Sequence, residues 1–468
     1  MESNSIEKKF LDFEKSNSLF EFEIQGIKIW DFIRYKTLED IKKKKARTIY
    51  SNSRSKKKYM FSLLFKQFIK ILLNFNKYTI KSKSDFLFLN HPRRIHFNDF
   101  YEDIYTDDII DKLNEDNYKT LTIEMPINFS HLKPSKTKKI KYLDILDLGS
   151  GFSNYLFWYN LSKEEKESIK FYKKEIKRIF LVDIDLIKAF TNSLRKYKFL
   201  YPRVNKIIKK VNPRCLVSVD AYSIEKKMFI RSASQSNIPT IELQHGAIGF
   251  DHIAYYYNKD LTTDTFPKYL FVWGESWQKC IKLPVNAKSI ITGFPYMQKK
   301  QKIKRDKTYD SENNILVISQ WTIGLELISF INKLALIQKT YNFHYKLHPL
   351  EFEEKEHYKS LVETTNIKIY SDEKDTYDFF DFCSIQIGVH STLLFEGAAF
   401  NLKTFVVPLS GYRSIMAVPD SGFILLKTIY HFDKIKYEST INNSLVNPLW
   451  KDNALENTIK EIKKIINL

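Results

Sequence analysis

At 468 residues, with 43% hydrophobic residues and 36 phenylalanines, the chain is long enough for two or more cored domains and is not intrinsically disordered. Its formal net charge of +20 calls for an anionic partner: nucleic acid, a membrane surface or a phosphorylated substrate. No apolar run reaches the ~18 residues of a bilayer-spanning helix, and the opening "MESNSIEKKF" has neither the apolar core nor the cleavage site of a secretory leader. The expected location is therefore cytoplasmic. Cys215, Cys280 and Cys383 lie far apart, match no zinc spacing and are expected to be reduced thiols.

Residues 1–83 read as a basic helical extension. "GIKIWDFIRYKTLEDI" has apolar positions near helical spacing. Between Ile41 and Ser84 there are fourteen Lys or Arg and no Asp or Glu. Within this stretch, Ser62, Lys66, Lys70 and Asn74 recur every four residues, with Gln67 beside them, and the rest of Met60–Phe75 is apolar. A helix there has a narrow cationic stripe and a wide apolar face. That face suits either the protein's own core or a membrane interface, with flanking lysines on anionic lipid.

From residue 84 the pattern alternates between short apolar runs and helical stretches. "DFLFLN" (85–90), "YKTLTIEM" (118–125), "RCLVSVD" (214–220), "IPTIELQ" (238–244), "YLFVWG" (269–274) and "SIITGFP" (289–295) read as strands. After the polar stretch "QKKQKIKRDKTYDSENN" (298–314) the series restarts. "ILVISQ", "FHYKLHP", "IKIYSD" and "CSIQIGVHS" follow, and "TFVVPL" is expected to close the second sheet. The tail, 441–468, ends in a helix. The fold class expected is α/β: two Rossmann-like domains in tandem, 84–297 and 298–440, with a ligand cleft at the carboxyl ends of their strands.

Three constellations sit at such strand ends. The first is "ELQHGAIGFD": His245, between Gln244 and Gly246, is a candidate general base or ligand-positioning group. Gly246 admits close ligand approach, and Glu242 and Asp251 are carboxylates able to orient His245 or replace it. In the second, "KLHPLE", Lys346 precedes His348, which Pro349 stiffens and whose ring N–H can donate a hydrogen bond to a phosphate. The third is "GVHSTLLFEGAAF". His390, Ser391 and Thr392 lie where a helix begins, and Glu396 lies one turn on, placed for ribose hydroxyls. Two further patterns are decoys. "LDILDLGSGFSNY" (143–155) looks like a methyltransferase glycine loop but does not open a domain, and Asp183-Ile184-Asp185 is a metal pattern common by chance. No metal site is expected.

Together these motifs resemble GT-B-fold glycosyltransferases. More narrowly, they look like bacterial enzymes of capsule and lipopolysaccharide assembly that use cytidine nucleotides: sialyltransferases, Kdo transferases and polyol-phosphate polymerases. The resemblance covers roughly residues 210–410. It implies that His348-Pro349 and Ser391-Thr392 hold the donor phosphate and that His245-Gly246 supplies the base. It also implies that "GFP" (293–295) joins an acceptor domain to a nucleotide-donor domain. The implied partners are a nucleotide-activated sugar, CMP- or CDP-linked on this resemblance, and an oligosaccharide or lipid-linked acceptor, with residues 41–83 on an anionic membrane and no cofactor. Alternatives on the same fold are a UDP-sugar transferase and a nucleotide-sugar 2-epimerase. A non-catalytic nucleic-acid binder is a further class, but no nucleic-acid motif is present, and nucleic acid is not the expected partner.

Overall fold

The structure is a computed structural model. It describes the chain except residues 1–4, 46–77, 81–82, 92–93, 98, 127–129, 157–159, 259, 303–312, 436–445 and 468. The expected helix over 60–75, the basic linker before it and most of the stretch 298–314 therefore lie outside the described residues.

Two parallel sheets carry the fold. The first holds seven strands in the order β5-β4-β1-β6-β7-β8-β9. These are β1 (Phe86–Leu89), β4 (Thr120–Glu124), β5 (Ile140–Tyr142), β6 (Cys215–Val219), β7 (Thr240–Leu243), β8 (Tyr269–Val272) and β9 (Lys288–Ile291). A small antiparallel hairpin, β2 (Ile95–Phe97) with β3 (Phe100–Glu102), stands apart. The second sheet has six strands in the order β12-β11-β10-β13-β14-β15. They are β10 (Asn314–Ile318), β11 (Asn342–Lys346), β12 (Ile367–Tyr370), β13 (Ile385–Gly388), β14 (Lys403–Val406) and β15 (Ile424–Leu425). Every residue of β1, β6, β7 and β13 is buried, so these strands are rich in apolar residues, although β6, β7 and β13 also bury Ser218, Glu242 and Gln386.

In each sheet the chain starts in the interior, builds one way and then returns to build the other. The order therefore reverses between β1 and β6, and again between β10 and β13. These are two tandem Rossmann-like domains, the GT-B-like class expected, and each has a crevice at its switch point. "TFVVPL" does not close the second sheet. β15 pairs with β14 through Phe405–Ile424 and Val406–Leu425. At two residues, β15 is too short to give a periodic signal.

Neither end of the chain stands apart from the first domain. Helices Ile6–Ser16 and Trp30–Lys45 bury Phe10, Phe13 and Trp30 in the same core as Phe180 and Phe190. The C-terminal helix Ala454–Ile466 packs Ile459, Ile462 and Ile465 against Phe86, Phe88 and Leu113. The chain thus returns from the second domain to cover the first. It crosses beside "GFP". Gly293 has φ +94°, and a Cβ there would lie 2.2 Å from the Lys451 carbonyl oxygen. The Lys451 N–H donates to Trp273 O at 2.7 Å.

Both decoys are structural. Residues 144–156 form a helix instead of a strand–loop–helix turn. Asp185 caps helix Leu186–Val211 by accepting from Lys188 N–H, while Asp183 pairs with Lys173 at 2.9 Å. The three cysteines are buried and reduced. No helix among the described residues is long and apolar enough to cross a membrane.

Candidate active site

The first rim is made by the residues just beyond β1, β6 and β7. Gln244 shapes the last of these. Its Oε1 accepts from Trp273 N–H at 2.9 Å, and its Nε2 donates to Gly246 O at 2.9 Å, which folds the loop back over the strand end. Gln244 is thus a scaffold residue, with both ends of its amide engaged within the protein. His245 leaves this loop with its carbonyl held by the Tyr105 hydroxyl at 2.7 Å. Its Nε2 lies 3.4 Å from the Tyr222 hydroxyl.

Two other strand ends meet the same imidazole. His91, beyond β1, places its ring 5.8 Å from that of His245, inclined by 28°. Its backbone N–H donates to Asp103 at 3.1 Å. Burial and the neighbouring Asp107 push Asp103 up to about 7. Beyond β6, Asp220 has φ +60°, a left-handed conformation that a non-glycine residue adopts at a cost of about 1–3 kcal/mol. Sequence reasoning did not single out His91, Asp103, Asp220 or Tyr222. His91 was the most accessible of them, since it directly follows the apolar run "DFLFLN".

The carboxylates named from sequence separate. Glu242 is 1% exposed and sealed in the sheet, accepting from Ala221 N–H at 2.9 Å and from the Tyr255 hydroxyl at 2.7 Å. Burial pushes it up to about 7. Asp251 lines a cavity between the domains together with His252, His390 and Thr392. Burial raises its pKa as well.

The second rim lies beyond β10, β11 and β13. Gln320 Oε1 accepts from His390 N–H at 2.9 Å, linking the two sides of the switch point. His348 caps the turn Pro349–Glu354. Its Nδ1 accepts from Leu350 N–H at 3.2 Å, and its backbone N–H donates to Glu351 at 2.8 Å. With Nδ1 accepting, neutral His348 carries its proton on Nε2, the tautomer that can donate to a phosphate oxygen. Lys346 is turned inward: it is buried and donates to the carbonyls of Ser371 and Lys374. Ser391 Oγ accepts from Leu393 N–H at 3.3 Å. Glu396 is buried, accepts from the Tyr377 hydroxyl and is pushed up to about 7 by burial.

Thr392 stands just before helix Leu393–Ala399. Its side chain makes no cap hydrogen bond. Instead its Oγ1 accepts from Ala247 N–H at 2.9 Å, so the loop after His245 is bonded directly to the loop after β13. Gly246 passes so close that a Cβ there would lie 3.6 Å from the same oxygen. The two rims are therefore in contact across the cleft.

A charged cluster supports the first rim from beneath. Glu124, at the end of β4, accepts from Asn90 at 2.9 Å and from Arg94 Nε at 3.0 Å, on either side of His91. His131 lies between two carboxylates, with Nδ1 2.6 Å from Glu124 and Nε2 2.8 Å from Asp144. Both nitrogens must carry protons to satisfy both acceptors. Burial alone would lower the His131 pKa, but the bonds to Asp144 and Glu124 outweigh it and raise it. A group with a raised folded pKa stabilises fully below its unfolded value of about 6.5, and that contribution is lost as pH rises through the folded value. Denaturant midpoints should therefore fall from pH 6 towards pH 9, and His131→Gln should flatten this slope. An equal slope in wild type and variant would refute the charged state.

No protein-family model matches the chain, and no curated protein matches it. Solved structures are similar. The putative UDP-N-acetylglucosamine 2-epimerase of Listeria monocytogenes is 11% identical, over 82% of this chain and 97% of that one, with a TM-score of 0.49. S. aureus MnaA, in a co-structure with UDP, is 11% identical over 83% and 98%, with a TM-score of 0.49. MurG of Acinetobacter baumannii is 10% identical over 82% and 100%, with a TM-score of 0.46. Likenesses at this level decide neither reaction nor substrate. Fold and site together define a tandem Rossmann-like protein whose two strand-end rims, each bearing histidine, meet across one cleft.

Proposed function

We propose that this protein is a glycosyltransferase. It would move a sugar, or a polyol phosphate, from a CMP- or CDP-linked donor to a growing surface polysaccharide. The observation that carries this reading is the bond from Ala247 to Thr392, which brings the His245 loop onto the loop proposed to hold phosphate. His348 would donate from Nε2 to the leaving phosphate, with His390, Ser391 and Thr392 beside it. Charge grows on that phosphate as its bond to the sugar breaks, so these contacts strengthen in the transition state. His245 would take the proton of the acceptor hydroxyl as the new bond forms. Histidine suits that role near neutral pH. Glu396, oriented by Tyr377, would meet the ribose. The acceptor would approach from the first domain, on a lipid carrier at an anionic membrane surface contacted through residues 41–83.

A thermal-shift panel of CMP, CDP, UDP, GDP, S-adenosylmethionine and a generic RNA tests this. A ligand at 100 times its Kd stabilises by about 2.7 kcal/mol, a shift of several degrees. Selective stabilisation by CMP or CDP is expected. A UDP preference would replace the donor class with hexose transfer or epimerisation. A response confined to S-adenosylmethionine or RNA would overturn the reading.

A further inference from the structure

The cavity between the domains has a third wall, and it comes from the N-terminal extension. Helix Trp30–Lys45 presents Tyr35, Leu38, Glu39 and Lys42 to it. Positions 35, 39 and 42 are spaced i, i+4 and i+7 and so fall on one helix face. The first domain contributes Ala247, Asp251 and His252, and the second contributes His390, Thr392 and Ser414. The helix is fastened at this point. Arg34 donates to Ile253 O at 2.8 Å and to Tyr256 O at 3.0 Å, immediately after the loop that lines the cavity. Lys42 is braced by Glu7 at 3.0 Å. The Tyr35 ring lies 5.7 Å from that of His252 and 4.6 Å from that of Tyr222, the residue beside His245 Nε2.

Size and lining define what fits. The volume is about 210 Å³. That is the space of roughly seven waters at ~30 Å³ each, enough for one sugar ring and below the ~300–1,000 Å³ of sites that enclose a whole ligand of nucleotide size. Carboxylates, hydroxyls, neutral imidazole and one ammonium are groups that hydrogen-bond to hydroxyls. His252 is kept neutral by burial, which lowers it to about 4, and its Nδ1 is buried with no hydrogen-bond partner among the described residues. A neutral imidazole nitrogen is a ready partner for an alcohol.

We infer that this cavity is the subsite for the transferred sugar or polyol, and that Glu39 and Lys42 of the N-terminal helix determine which one it accepts. The inference rests on the transferase reading: the donor phosphate would lie at Ser391 and Thr392 with its nucleotide outside the cavity. The extension would then be part of the catalytic unit as well as a basic tether.

Titration calorimetry on the full chain tests it with three pairs: CMP and CMP-N-acetylneuraminate, CDP and CDP-glycerol, UDP and UDP-N-acetylglucosamine. Wild type is compared with Glu39→Gln and Lys42→Met, each checked for an unchanged melting midpoint. For the pair that binds, each variant should weaken the donor about tenfold, the size of one lost charge-assisted hydrogen bond. The bare nucleotide should change by less than about twofold, well under one such bond. If donor and nucleotide weaken together, or neither weakens, the subsite is overturned while the transferase reading stands. If no nucleotide binds wild type, the transferase reading falls and takes the subsite with it.

Discussion

His245→Ala and His348→Ala should each lower turnover about 10²–10⁴-fold, the range for loss of a general acid–base group. The two losses should differ in kind. His245, whose Nε2 lies beside the Tyr222 hydroxyl, is proposed to act on the acceptor, so its removal should leave donor affinity near wild type while kcat falls. The proposed His348 contact with phosphate would strengthen as the leaving charge develops, so its loss should also fall mainly on kcat. His348 has a structural duty too, because its Nδ1 accepts from Leu350 N–H. The melting midpoint of that variant must therefore be measured alongside its rate. Single-turnover assays with the donor identified by the nucleotide panel provide the rates. Wild-type rates in both variants would refute the mechanism.

Arg34→Met should cost about 3–5 kcal/mol of stability, a large share of the ~5–15 kcal/mol that holds a typical domain. Arg34 is 1% exposed and grips Glu14 with two nitrogens, Nε to Oε1 and Nη2 to Oε2, both at 2.8 Å. It also donates to the carbonyls of Ile253 and Tyr256 and lies over the Tyr257 ring at 4.4 Å. Removing it leaves the buried Glu14 carboxylate without its cation, bonded to Trp30 Nε1 at 2.7 Å, and takes one donor from each of two carbonyls. Replacing both partners, with Glu14→Gln added, should recover part of the loss, because a buried charge is then no longer left alone. Denaturant unfolding reads both variants. A loss below about 1 kcal/mol, the level of an exposed pair, would mean that the helices do not depend on this bond.

Much of the architecture was readable from the chain. Parallel strands buried on both faces are rich in apolar residues, so β1, β6, β7, β10 and β13 stand out without any structure. β5 and β15, at three and two residues, are too short for a pattern. His245 was marked by its position after a strand and by the glycine beside it. His91 follows a strand in the same way but has no glycine to draw attention. The inward turn of Lys346 was invisible, because its partners are backbone carbonyls at 371 and 374, which leave no residue-type signature.

What the sequence determined by itself is therefore local: strand and helix placement, two tandem α/β domains, and histidines at strand ends. Burial and periodicity act over a few residues, and composition records them. Only the tertiary structure decided which strand ends meet. It bonded Ala247 to Thr392, turned Glu242 into the sheet, folded the last helix onto the first domain and brought Tyr35, Glu39 and Lys42 to the cleft. Apart from the bonds of Glu242 to Ala221 and Tyr255, those contacts join residues more than a hundred positions apart. They depend on how whole sheets and helices pack, and no window of the chain carries that information.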